Sequence, residues 1–309
     1  MKNKALKRLI SGFSTVIISL TLFSFKSVSP PATDTVPANN SGFKIRTIIV
    51  DAGHGGYHPA GAPGNYSPGA RGSYSLERNV TLAVALKLQD AIEKELNGVK
   101  VVLTRTTDDD VSWQRRAQIA NENKGDLFIS LHCNSLADRR IREVVGHRHH
   151  KPVYRSIEVP DRSGKGVLML VYGTWRTKEE SKAITQTRIE GGDEGGDSEM
   201  NTAVDPNDPE AVILMNEYLR RYRTQSLHLA NLINNEFVET DGRPSEGIRE
   251  QGVLVLCHSA MPAVLVEMGY INNPDDEAYL NSEKGQDEIV ESIVRALKNY
   301  KDEVEQVAK

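Results

Sequence analysis

Four residues of this 309-residue chain carry imidazole or carboxylate groups where apolar strands should end or a helix should begin: His54, Glu77, His132 and Glu267. His54 follows the run "TIIVDA" inside the glycine-rich stretch "VDAGHGG", and His132 closes "LFISLHC". Glu267 lies at the end of "AVLVEMG", and Glu77 opens a helical pattern after a second glycine-bearing loop. Such groups are costly if buried without a partner, and one metal ion would satisfy several of them together. Two neutral imidazoles and a carboxylate form the His2Glu set of catalytic zinc, which leaves a position open for water. The metal lowers that water's pKa toward about 7 and polarises a carbonyl. A second glutamate could take the water's proton and pass it to a leaving amine. The four residues are far apart and match no compact signature such as HExxH. A histidine at a strand end also occurs commonly as a hydrogen-bonded structural group. A phosphate-cradling loop fits less well, because neither GxGxxG nor GK[ST] is present.

The elements that must position these residues follow from hydrophobic patterning. Short apolar runs predict strands at 47–52, 99–105, 127–133, 166–173, 252–257 ("GVLVLC") and 263–269. Their continuous apolarity suits strands covered on both faces. Helical periodicity marks 76–96, 113–123, 208–237 and 286–304. The alternation predicts an α/β fold, a single domain with a mostly parallel or mixed sheet of about six strands flanked by helices. The carboxyl ends of strands in such a sheet are where sites form. Between Asn134 and Asp208 the rhythm breaks. A basic part, "RRIREVVGHRHHK", reads as a solvated loop, and "EGGDEGGDSEMN" reads as a glycine-rich acidic one.

Composition narrows the function classes. Hydrophobic residues make up 39% and charged residues 26%, enough for a substantial core. "MKNKALKR" followed by the uncharged Leu9–Phe25 reads as a secretory signal peptide or N-terminal anchor over residues 1–29. Residues 30–43 read as a linker, and 44–305 as the catalytic domain with an insertion at about 136–207. Residues 1–30 hold five basic and no acidic side chains, so the remainder has 33 basic against 42 acidic. That balance disfavours nucleic acid as a partner. Cys133 and Cys257 are too few for a disulfide framework and read as buried thiols, although one pairing stays open.

Five stretches occur in order: "VDAGHGG", "GARGSYSLERNVTLAVALKL", "VVLTRTTDDDVSWQRRAQIAN", "DLFISLHCNS" and "MPAVLVEMGYINNPDDEAYL". Together they resemble the zinc-dependent N-acetylmuramoyl-L-alanine amidase family, of the cell-division type, across roughly 46–135 and 208–300. The resemblance implies a peptidoglycan hydrolase of the periplasm or cell envelope. Its reaction is cleavage of the amide between the lactyl group of N-acetylmuramic acid and L-alanine of the stem peptide. Carried onto this sequence, it implies zinc held by His54, Glu77 and His132, with Glu267 as general base and acid. Asp51, Gly53, Gly55 and Gly56 match the first motif, while Arg105, Arg116, Asn121 and Asn134 match supporting positions.

Other histidines compete. The stretch "YHPAGAPGNYSP" is longer than the family pattern and brings in His58, four residues after His54. His147, His149 and His150 lie in the basic loop, and His258 follows Cys257 near the last strand. The family also implies an inhibitory helix in the insertion that an activator protein relieves. "LVYGTWRTKEESKAITQTRIEGG" stands there, with a helix expected at 175–190 and Glu179 or Glu180 able to approach the zinc. Membrane contact is expected only through an uncleaved N-terminal segment. Another zinc peptidase and an inactive wall-binding module are the rival functions.

Overall fold

The computed structural model describes residues 44–56, 68–173 and 209–306. The expected signal segment, the linker, His58, Glu179, Glu180 and the 175–190 helix lie outside these described residues.

Six strands form one mixed sheet: β1 (Thr47–Ala52), β2 (Lys100–Leu103), β3 (Leu127–Asn134), β6 (Val167–Tyr172), β7 (Ser245–Gln251) and β8 (Ala263–Tyr270). Their order is β2-β1-β3-β8-β6-β7. The first four in that order run parallel, β6 is antiparallel to β8, and β7 is parallel to β6. The helices are α1 (Glu77–Glu95), α2 (Trp113–Glu122), α3 (Pro209–Asn235), α4 (Leu254–Cys257), α5 (Pro274–Leu280) and α6 (Glu283–Gln306). A π-helical turn, Glu236–Thr240, closes α3.

Side chains alternate across a strand, so each central strand feeds two cores. Val50, Ile129, Val266 and Met169 pack with Leu88 and Ile92 of α1, Ile233 of α3 and Leu297 of α6. Ile49, Phe128, Leu265 and Leu170 pack on the other side with Ala120 of α2 and Val255 and Leu256 of α4. Both faces are covered, which is why these strands are apolar without alternation. α1 meets the sheet through Val80, Val84, Leu88 and Ile92, all buried at helical spacing.

Two elements differ from the sequence expectation. "GVLVLC" supplies the helical turn α4 and no strand; the sixth strand is "SEGIREQ", β7. A short apolar run fits a buried strand and a buried helix equally. Here β7 occupies the edge beside β6, and Val255, Leu256 and Cys257 are buried in succession as one turn. The basic segment is not a loop either. β4 (Arg139–Arg148) and β5 (Lys151–Val159) pair antiparallel as a separate hairpin. Its two-residue turn, His149 and His150, has φ of 52° and 63°, the doubly left-handed form that suits a tight hairpin.

Candidate metal centre

His54 leaves β1 with φ 58°, a left-handed backbone unusual for a side chain with a Cβ. Such a conformation costs on the order of 1–3 kcal/mol and persists only where its surroundings impose it. Here two buried guanidinium groups grip the three carbonyls after β1. Arg105 donates from Nε to Ala52 O at 2.9 Å and from Nη2 to Gly53 O at 3.0 Å. Arg116 donates from Nη1 to Ala52 O at 2.5 Å and from Nη2 to His54 O at 2.5 Å. Thr81 Oγ1 of α1 adds a bond to Gly53 O at 2.8 Å. Asp51 anchors the clamp from below, accepting from Arg116 Nη1, Thr104 Oγ1 and Ser130 Oγ, each at 2.6 Å. Burial pushes the Asp51 carboxyl up, but Arg116 and the two hydroxyls outweigh it and hold it below the ordinary Asp value.

Glu77 sits in the first turn of α1, where the helix dipole favours a negative charge. Its Oε2 accepts from Ala70 N at 2.6 Å and its Oε1 from Cys133 N at 2.9 Å, so the carboxylate cannot swing away. Oε1 also lies 2.9 Å from His132 Nδ1 and 3.3 Å from His54 Nε2. The two imidazoles meet edge to face, with ring centres 4.8 Å apart. One donor atom from each of His54, Glu77 and His132 therefore lies within 4.8 Å of the others, a group that could hold a metal ion. Burial pushes Glu77 up, yet hydrogen bonds from His132 and His54 outweigh it and leave it well below the usual carboxylate range. His132 is raised in turn: burial lowers it, and Glu77, Glu267 and Asp51 together overcome that.

Two glycines make room for these donors. A Cβ on Gly53 would sit 2.5 Å from the His132 ring, and one on Gly69 (φ +75°) would sit 2.7 Å from Glu77 Oε2 and 2.9 Å from the His54 ring. Glu267 stands beside His132 in register on the neighbouring strand. Its Oε2 is buried and lacks a hydrogen-bond partner. Burial and Glu77 push it up to about 7, against the opposing pull of His132.

Of the competing histidines, the four that the structure describes lie outside this group, and His58 lies outside the described residues. His147, His149 and His150 are exposed on the hairpin. His258 packs on Trp113, ring centres 4.9 Å apart, and its carbonyl accepts from Asn121 Nδ2 at 3.0 Å. Asn121 Oδ1 also accepts from Ala260 N at 2.9 Å, so this residue pins the entry to β8. Cys133 and Cys257 are free and buried.

The family model for N-acetylmuramoyl-L-alanine amidase matches residues 48–299, which include all four site residues. The chain belongs to this amidase family. It is 26% identical over 279 residues to N-acetylmuramoyl-L-alanine amidase AmiC of Escherichia coli O6:H1, covering 89% of this chain and 57% of that one. It is 28% identical over 256 residues to a putative amidase of Buchnera aphidicola, covering 82% of this chain and 95% of that one. Against the probable cell wall amidase LytH of Staphylococcus epidermidis it spans 62% of the relative's length at 26% identity. The chain thus spans about three fifths of AmiC and LytH. Among solved structures, the catalytic domain of the amidase CwlV from Bacillus (Paenibacillus) polymyxa superposes with TM-score 0.52 at 22% identity, covering 83% of this chain and 98% of that one. Ami1 of Mycobacterium smegmatis gives TM-score 0.55 at 16% identity, covering 86% and 99%. These likenesses show a shared amidase fold.

One supporting residue escaped the sequence reading. Glu277 of α5 accepts the backbone N–H groups of Ser73, Tyr74 and Ser75 at 2.9, 2.9 and 3.0 Å, and the Ser75 hydroxyl at 2.8 Å. It therefore holds the loop that delivers Glu77. The signal available was the helix start "NNPDD", where Asn273 caps and Pro274 leads. That start locates the helix but not the burial of its third carboxylate.

Proposed function

We propose that this chain is a zinc-dependent N-acetylmuramoyl-L-alanine amidase acting on peptidoglycan, cleaving the amide between N-acetylmuramic acid and L-alanine of the stem peptide. The observation that carries this reading is the convergence of His54, Glu77 and His132 beside the buried, unpartnered Oε2 of Glu267. Two imidazoles and one carboxylate are the donor set zinc takes at catalytic sites, so the residues present fit the ion. Zinc bound there supplies Lewis-acid polarisation of the scissile carbonyl and acidifies water. Ala70 N and Cys133 N orient the Glu77 carboxylate, and the Arg105–Arg116 clamp fixes the loop bearing His54. Glu267 takes the proton of the attacking water and returns it to the departing L-alanine nitrogen. A carboxyl pushed toward neutrality by burial suits both halves of that transfer.

Digestion of purified peptidoglycan tests the reaction. Released peptides should carry free N-terminal L-alanine, and the protein should contain zinc. Release of terminal residues such as D-alanine alone would overturn it.

The reading extends to place and control. The N-terminal segment would take the enzyme to the cell envelope, and an activator protein in cell division would act on the insertion. No helix among the described residues is long and apolar enough to cross a membrane. Deletion of residues 175–197 should speed wall cleavage if a helix there blocks the site; an unchanged rate removes that form of control.

A further inference from the structure

The hairpin β4–β5 carries a charge of opposite sign to the rest of the chain. Residues 139–159 hold six arginines and lysines against two glutamates, a formal +4 within a chain of net −4, so the remainder carries −8. All ten residues of β4 are exposed, as are most of β5. Arg140 and Arg155 are paired across the strands to Glu158 and Glu143. Arg142, Arg148 and Lys151 have no ion pair among the described residues and face solvent. Tyr154, 54% exposed beside Val144, adds an aromatic face of the kind that packs against sugar rings.

The hairpin is rooted at the metal centre. β3 bears His132 and ends five residues before Arg139, and the return strand leads into β6, paired with Glu267 through Leu168. Both feet are tied to the turn just after β8. Asn272 Nδ2 donates to Leu136 O at 3.0 Å and to Asp161 O at 2.8 Å, and Asn273 Nδ2 donates to Arg162 O at 3.0 Å. Ten residues of strand reach about 30 Å. A cationic arm thus leaves the sheet at the strand ends that carry His132 and Glu267, its feet tied to the turn after β8.

We propose that this hairpin is a second docking surface for the peptidoglycan strand, its free cations meeting stem-peptide carboxylates beyond the scissile bond. The inference rests on the amidase reading for the identity of the polymer. An acidic body is repelled by an anionic wall, and an oppositely charged arm reverses that locally. The hairpin's position beside the reacting groups favours the substrate polymer over a lipid surface.

The test is co-sedimentation of the full chain with insoluble peptidoglycan sacculi across a salt series, with anionic phosphatidylglycerol vesicles in parallel. The variant Arg142→Glu/Arg148→Glu/Lys151→Glu should bind sacculi about fivefold or more weakly, with a flatter salt dependence. The conservative Arg142→Lys/Arg148→Lys/Lys151→Arg chain should bind as the parent does. Release of L-alanine-bearing peptide from a small soluble muramoyl-peptide should be equal in all three. Equal sacculus binding by the charge-reversed variant overturns the proposal. So does loss in the conservative chain, or binding of the parent to vesicles and not to sacculi. A parent that binds sacculi through the hairpin but frees no L-alanine terminus would refute the amidase activity and leave the docking surface standing.

Discussion

Arg116 joins the Asp51 carboxylate to the backbone of His54: Nη1 lies 2.6 Å from Asp51 Oδ1 while Nη2 lies 2.5 Å from His54 O. Both side chains are buried, at 6% and 1% exposure. The first proposed ligand therefore inherits its backbone conformation from a charge pair beneath it. Arg116→Ala removes the clamp and strands a buried carboxylate. Breaking such a pair costs about 3–5 kcal/mol. Urea denaturation should show that loss, and a zinc titration should show affinity weakened about 10–100-fold, the usual effect of losing a group that supports a ligand. Wild-type affinity in the variant would detach the clamp from the metal site.

Glu267→Gln should separate chemistry from binding. The amide keeps the shape but cannot carry the proton. Zinc content measured by mass spectrometry should match the parent, while turnover on peptidoglycan falls about 10²–10⁴-fold. Loss of the metal instead would make Glu267 a ligand.

Gly53→Ala probes packing against His132. The new methyl would meet the ring at 2.5 Å and Leu131 O at 2.6 Å. One of these contacts is backbone in a central strand and cannot yield, so the imidazole must tilt. Overpacking of this kind costs about 1–3 kcal/mol. The expected results are a lower melting temperature and weaker zinc binding, both from calorimetry.

Glu277→Gln tests the loop before Glu77. The carboxylate serves four donors, and the amide replaces one accepting oxygen with a donating nitrogen. These donors sit on a partly exposed loop, so each lost bond to the charged group costs about 1 kcal/mol. Amide hydrogen exchange at residues 73–75 should accelerate sharply, and zinc should bind less tightly. Unchanged protection there would show that the loop holds itself.

Asp51 sets an acid limit. Its folded pKa lies below the unfolded value near 3.8. A depressed carboxyl stabilises the fold fully above the unfolded value and loses that contribution as pH falls through the folded one. Measured in chelator, to exclude metal release, the chain should lose stability as pH drops below about 4. Asp51→Asn should be less stable at neutral pH and show a shallower decline in that window.

The fold was legible where burial is two-sided. β1, β3, β6 and β8 announce themselves because both faces lie under helices, so most of their positions are apolar. β7 was not legible. An edge strand needs one covered face at most, and "SEGIREQ" shows neither an apolar run nor clean alternation. The hairpin was hidden for a similar reason: all of β4 and most of β5 are exposed, so no apolar run marks them, and the turn uses His-His where Asn-Gly would have signalled it. His54, His132 and Glu267 stood out as polar groups ending apolar strands and Glu77 as a carboxylate opening a helix, while the roles proposed for them came from the family resemblance. The carbonyl clamp of Arg105 and the loop anchor of Glu277 depend on contacts 52 to 204 residues apart in sequence, which no local pattern encodes.

β6 runs antiparallel to β8, whereas β1, which leads to His54, and the strands bearing His132 and Glu267 run parallel to one another. The excursion from Asn134 to Gly166 therefore departs from and returns to the same end of the sheet, and closes on itself there through Asn272 and Asn273. Such a detour can lengthen, shorten or be exchanged without shifting any strand register, since loop length adds only slowly to the entropy of closure. It is a natural graft point: a hairpin from a relative could be transplanted between these two positions while the strands that carry His132 and Glu267 keep their register.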